Sequence, residues 1–271
     1  MLSPLQIRKI LPNPQLIKIK YHFLVLVATI LVAGSFLASE KLAGIINPFS
    51  LTLLRFFGAS VILLPIVFYK RKWRTKVLST FPRALIISFF YAAFFIGFFE
   101  ALKTTSSLNT GTLYTLAPFI TALLSVIAFR EQITKKYFIV YLLGIIGTVW
   151  VIFRGDLTLL LAFSLNKGDA IFLLAILAFC LYSIAMKFLY QNDDKIVLVF
   201  CTLVGGCFWM VIALLISGQS LDWDLIQNES IFHMAYLILA ATLTTVYLYQ
   251  ITTVELDPRR VNAYIYLNPA L

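Results

Sequence analysis

The chain has 271 residues, of which 61% are hydrophobic and 13% charged, with a formal charge of +10 and a mean hydropathy of +0.93. A water-soluble domain needs roughly twice that charged fraction to cover its surface, so the composition excludes one. The basic residues sit in short loops between apolar runs. They therefore read as membrane-orientation signals and argue against a nucleic-acid partner.

Residues 1–20 carry Arg8, Lys9, Lys18 and Lys20 and form an expected cytoplasmic N-terminal segment. The apolar run after Lys20 is too long for a cleaved signal and more runs follow it, so it is a retained first helix. Runs lie at roughly 21–39, 46–69, 84–102, 108–129, 137–153, 170–190, 196–217 and 231–254, each about the length of one span. A ninth begins near Val261 and stops at Leu271. Helices are expected, because barrel strands would alternate over about ten residues. Cys180, Cys201 and Cys207 all fall inside these runs and read as small buried hydrophobes. No cofactor, metal site or enzyme signature stands out, and no phosphate-cradling glycine loop is present.

Charge then sets orientation. With a cytoplasmic N-terminus, seventeen basic residues fall on the inner side, including Lys70, Arg71, Lys72, Arg74, Lys76 and Arg83. Only Lys41, Lys103, Arg154 and Lys167 fall outside, and Arg55 lies within a helix. The bias predicts a multi-pass protein of the cytoplasmic (inner) membrane.

The chain also repeats itself. Residues 108–119 (LNTGTLYTLAPF) align on Pro118 with residues 259–270 (RRVNAYIYLNPA) on Pro269, an offset of 151. Five spans lie between the copies. Five is odd, so the second copy enters the membrane from the opposite side. Inverted repeats are a recurring plan of secondary transporters, whose halves open a central site to either side.

These residues resemble the drug/metabolite transporter superfamily, specifically the EamA-type permeases. The resemblance rests on residues 98–134, the LGIIGTVWVIF helix at 143–153, Pro48 with Arg55, and VELDPRRVNAYIYLNPAL at the end. It implies an all-α polytopic fold of two inverted five-helix repeats, ten helices in all. About nine are present, with the ninth cut short and some 33 residues expected beyond Leu271. The expected division is 1–20, then a first repeat at 21–153 and a second at 168–271. The implied function is secondary export of a small metabolite, an amino acid or similar, by alternating access. The alternative is a truncated, non-transporting remnant or a helix-packing partner subunit.

Candidate pathway residues follow from burial costs. Arg55, about nine residues into its run, is placed near the midplane, where an ionised side chain needs a wet cavity or a partner. Glu100 is its candidate partner and a candidate proton-coupling group. Pro118 and Pro269 break matching helices, which points to a midplane site. Gly111, Thr112, Tyr114 and Thr115 precede the first proline. Asn262, Tyr264, Tyr266 and Asn268 precede the second. Ordinary helix packing and interfacial tyrosines are the competing reading of this set. Gly144, Gly147, Gly205 and Gly206 allow close helix approach, with a homodimer contact as a lesser use.

Overall fold

The computed structural model describes residues 14–42, 44–130, 135–153, 155–162 and 166–270, and every regular element among them is helical. In chain order these are α1 (Pro14–Leu42), α2 (Pro48–Tyr69), α3 (Arg71–Leu102), α4 (Ser107–Tyr114), α5 (Ala117–Phe129), α6 (Lys135–Ile152) and α7 (Leu157–Leu161). There follow α8 (Lys167–Phe188), α9 (Lys195–Ser217), α10 (Glu229–Ile238), α11 (Thr245–Leu256) and α12 (Pro258–Asn262). A π-helical segment, Leu239–Thr244, joins α10 to α11, and a 3₁₀ segment, Ala263–Ala270, follows α12. Among the described residues, seven helical stretches are long and apolar enough to cross a membrane, and α6 adds a shorter apolar stretch, Phe138–Gly147.

Local chemistry explains the helix ends. Asn47 accepts the Ser50 N–H at 2.9 Å, and Pro48 takes the first position of α2, where its missing N–H costs nothing. The basic segment after Tyr69 was expected as a loop. Instead only Lys70 leaves helical geometry (φ −92°, ψ 113°), and the segment forms the first turns of α3. Its Arg and Lys residues are good helix formers. At 32 residues α3 is about 48 Å long, so its basic start stands clear of an apolar slab about 30 Å thick.

Both proline-bearing runs are broken. Run 108–129 splits at Thr115–Leu116 into α4 and α5, with Pro118 in the first turn of α5. The ninth run is α-helical only over α12 and continues as 3₁₀ helix towards Pro269.

The packing carries the inverted symmetry of the sequence. The offset of 151 pairs α1 with α8, α2 with α9, and α3 with α10–α11. Helix α3 lies along α8, and its image, α10–α11 along α1, is also present. The pair α2–α9 maps onto itself. Close approach is built in: a Cβ on Gly206 of α9 would meet the Phe56 ring of α2 at 2.6 Å, and one on Gly144 would meet the Tyr266 ring at 2.5 Å. Large apolar side chains such as Phe57, Val61 and Leu64 on α2 and Leu142, Leu143 and Trp150 on α6 point outward, as lipid-facing surfaces do.

Candidate functional site

Two faces bound the bundle. On the near face, where α1 begins, Lys187 meets Asp257 at 2.6 Å and Lys195 meets Glu255 at 2.5 Å. His22 Nδ1 lies 2.9 Å from the Tyr264 hydroxyl. Across the halves, Arg83 holds Asp193 at 2.7 Å and Lys76 holds Asp194 at 2.7 Å. The Asp194 carboxyl is held below its usual range, chiefly by its hydrogen bond from Lys76. On the far face, Asp169 at the start of α8 is fully buried and accepts from Thr105 and from Asn109 (3.2 Å). There the Asn47 amide also donates to the Ser220 carbonyl at 2.5 Å. Lys103 follows α3 on the far face and Arg259 starts α12 on the near face, so α8 spans the depth between them.

Between the faces lies a cavity of about 60 Å³, lined from both halves. That is room for several waters. Helix α1 contributes Ser35 and Ser39, and α2 contributes Arg55. Helix α3 supplies Tyr91, Phe94, Phe95 and Phe98, and α4 supplies Tyr114. From the second half come Phe172, Phe179 and Tyr182 of α8, with Val246 and Tyr249 of α11. The offset of 151 carries Phe95 to Val246 and Phe98 to Tyr249, so symmetry-related positions line one space.

Arg55 is the charged side chain of this cavity and is only 2% exposed. Its Nε donates to the Thr242 hydroxyl at 3.1 Å, and its guanidinium lies 4.6 Å from the centre of the Phe95 ring. Thr242 sits in the π-helical segment, a distortion frequent at functional sites. Among the described residues no carboxylate comes within ion-pair distance of Arg55. Near the other end, Tyr182 is 3% and Gln250 1% exposed. Gln250 donates to Thr202 at 2.9 Å. Tyr182 and Gln250 lie against each other, and among the described residues neither the Tyr182 hydroxyl nor the Gln250 carbonyl oxygen has another hydrogen-bond partner.

Of the sequence candidates, Arg55 and Tyr114 line this cavity. The others go elsewhere. Glu100 does not meet Arg55: it ends α3, 44% exposed, and pairs with Lys103 one turn on at 2.6 Å. That exposure also removes the burial a proton-coupling carboxyl would need. Arg55 stands seven residues past Pro48, about 10 Å along a helix of about 33 Å, so it lies nearer the far face than the midplane. Thr115 and Pro118 are buried at the α4–α5 break, Thr112 is buried in α4, and Gly111 has open space beside it. Asn262 bonds Thr121 at 2.7 Å and Ser183 at 3.3 Å, tying α12 to α5 and α8. Tyr266 donates to the Tyr141 carbonyl at 3.2 Å. The Asn268 side-chain carbonyl oxygen is buried without a partner among the described residues. The side chain of Pro269 lies outside the described residues, as do Glu131 and the side chain of Glu40. Tyr91, Tyr182, Tyr249 and the five cavity phenylalanines were not singled out from sequence. The offset that aligned the prolines was the signal that could have found the α3 and α11 members.

Comparisons with known proteins agree with this architecture. Residues 19–153 match the EamA-like transporter family. The uncharacterized transporter YyaM of Bacillus subtilis (strain 168) is 25% identical over 204 residues, which are 73% of this chain and 66% of that protein. The chain thus spans just under two thirds of that relative's length. One solved crystal structure superposes with a TM-score of 0.73 at 18% identity, covering 93% of this chain and 86% of its own, a likeness of fold.

Proposed function

Since the chain belongs to the EamA-like transporter family through residues 19–153, we propose that it exports a small metabolite across the cytoplasmic membrane by alternating access. The observation that carries the reading is the cavity between two oppositely directed halves, holding a buried Arg55 that has no carboxylate within ion-pair distance among the described residues. A buried cation costs several kcal/mol unless something compensates it. Thr242 and Phe95 compensate in part, and a bound solute supplies the rest.

In this reading the near face, with its basic α3 start, is cytoplasmic. Opening there requires parting Arg83 from Asp193 and Lys76 from Asp194. Opening to the far face requires parting Asp169 from Thr105 and Asn109. The near-face pairs are partly solvated, so they can be exchanged for water at modest cost, whereas the far-face contacts hold a buried carboxylate and cost more to part.

The test is counterflow in proteoliposomes containing the purified chain, with a panel of amino acids and organic acids. At least one panel member should exchange. Arg55→Leu should abolish exchange while the protein stays monodisperse with an unchanged unfolding midpoint. Wild-type exchange by folded Arg55→Leu protein would take Arg55 out of the mechanism.

A further inference from the structure

We propose that the Arg55 end of the cavity is a binding site for one small monovalent anion, either a halide or the carboxylate of a solute no larger than acetate. The inference deepens the transport reading, on which it rests for the fate of the anion, but it concerns binding and is tested as binding.

The first observation is an unfilled fork. Arg55 lines the cavity and is 2% exposed. Its Nε donates to the Thr242 hydroxyl at 3.1 Å, and its guanidinium lies over the Phe95 ring, 4.6 Å from the centre. These two contacts hold the group in place. Thr242 is itself fully buried in the π-helical segment, so the second half of the chain positions a cation that the first half carries. Among the described residues the two terminal amino groups of Arg55 have no hydrogen-bond partner. Their paired N–H groups suit a carboxylate, or a halide seated between them.

The second observation is net charge. The other described liners of the cavity are neutral, so the space carries one positive charge. One monovalent anion cancels it. A zwitterion brings no net charge, and its ammonium group needs a carboxylate that none of the described liners supplies. Sulfate brings two negative charges and leaves one uncompensated in a mostly apolar space. A cation adds to the charge already present.

The third observation is size. A cavity of about 60 Å³ holds roughly four to six waters. A halide, formate or acetate displaces only some of them, whereas a ring needs the walls to move. Those walls are largely aromatic. The edges of aromatic rings carry the positive end of the ring quadrupole, so they accept a neighbouring anion without a second cation.

The experiment is thermal unfolding of the detergent-purified chain at pH 7 and constant ionic strength. Sodium gluconate, an anion too large for the cavity, is replaced stepwise by chloride, formate, acetate, benzoate or sulfate, and glycine is titrated separately. A ligand that binds only the folded chain raises the unfolding midpoint saturably. Chloride, formate and acetate should do so. Benzoate, sulfate and glycine should not. Arg55→Gln should weaken the small anions by at least about tenfold, the usual worth of a charged hydrogen bond. Arg55→Lys should restore part of that loss. Formate ahead of chloride assigns the site to the carboxylate of a solute, and chloride ahead of formate assigns it to a halide. No saturable rise with any of the three small anions would overturn the proposal. So would an equal saturable rise with benzoate, sulfate or glycine, or an undiminished one in folded Arg55→Gln. Because the wild-type series decides charge and size by itself, a variant that fails to fold does not spare the proposal. Counterflow separates the two readings. If the small anions bind saturably but no panel member exchanges, the site stands and transport falls. If a panel member exchanges but no small anion binds saturably, the reverse holds.

Discussion

At the scale of single residues, the polar side chains divide by what they can exchange with water. Arg55 sits inside with no carboxylate within ion-pair distance among the described residues, and Tyr182 and Gln250 sit inside against each other. Asp257 sits at the near face with its capacity filled. Its backbone lies at φ 101°, strained for a residue with a Cβ, and its side chain caps α12 by accepting the Arg259 N–H at 3.0 Å. Burial alone would raise its carboxyl. Lys187 at 2.6 Å, the Arg259 N–H and the nearby Arg259 charge outweigh burial and hold it below the usual carboxylate range. A depressed carboxyl contributes stability that is present above its unfolded value, about 4, and is lost as pH falls through the lower folded value. Asp257→Asn should therefore lower stability at pH 7 by about 1–3 kcal/mol. The gap between wild type and variant should close as thermal unfolding is followed from pH 7 down to pH 3. A constant gap would show that the side chain acts through shape alone.

At the scale of elements, the tight seam is α3 against α8. A Cβ on Gly97 would stand 2.8 Å from the Cβ of Ala175, whereas one on Gly147 of α6 would meet nothing within 4 Å. Gly97→Ala should destabilise by about 1–3 kcal/mol through overpacking. Gly147→Ala should be neutral or slightly stabilising, as a helical glycine usually is when replaced. Unfolding midpoints in one detergent compare the two directly. This seam also shows what was legible in the sequence. Hydropathy placed the seven stretches that are long and apolar enough to span among the described residues, because lipid imposes a length and an apolar composition on a helix wherever it occurs, whereas run 137–153 gave a shorter apolar stretch and the ninth run a short α-helix continued as 3₁₀ helix. The offset between Pro118 and Pro269 sets which helices correspond. The partners of individual side chains were not legible. Glu100 and Arg55 share no helix, and their distance depends on how α2 and α3 rotate about their axes, which no spacing rule sets. The aromatic cavity wall was hidden for a related reason: phenylalanines facing lipid and phenylalanines facing a cavity look alike in a sequence that is apolar on all sides. The basic start of α3 was misread as a loop because charge was taken as a sign of irregular backbone, when Lys and Arg continue a helix readily.

At the scale of the whole molecule, the inverted arrangement makes a geometric demand that either holds or fails. Lys103 and Arg259 must reach opposite sides, because α8 runs from the Asp169 cluster on one face to the Lys187–Asp257 pair on the other. In a chain freed of Cys180, Cys201 and Cys207, Lys103→Cys should react with a membrane-impermeant maleimide from one side only, and Arg259→Cys from the other. Labelling of both from one side would remove the two-fold relation and with it the reason to place a shared cavity between the halves. A second demand concerns the closures. The near face is held across the halves by ion pairs, which salt screens, and the far face by hydrogen bonds to a buried carboxylate, which salt barely touches. Loosening one face should not loosen the other. Arg83→Ala should raise thiol accessibility of a cysteine at Tyr182, towards the near face, by several-fold and leave a cysteine at Ser39, towards the far face, unchanged. Asp169→Asn should do the opposite. Equal exposure of both positions by either change would mean that the bundle breathes as one body, and that its two closures do not act as separate gates.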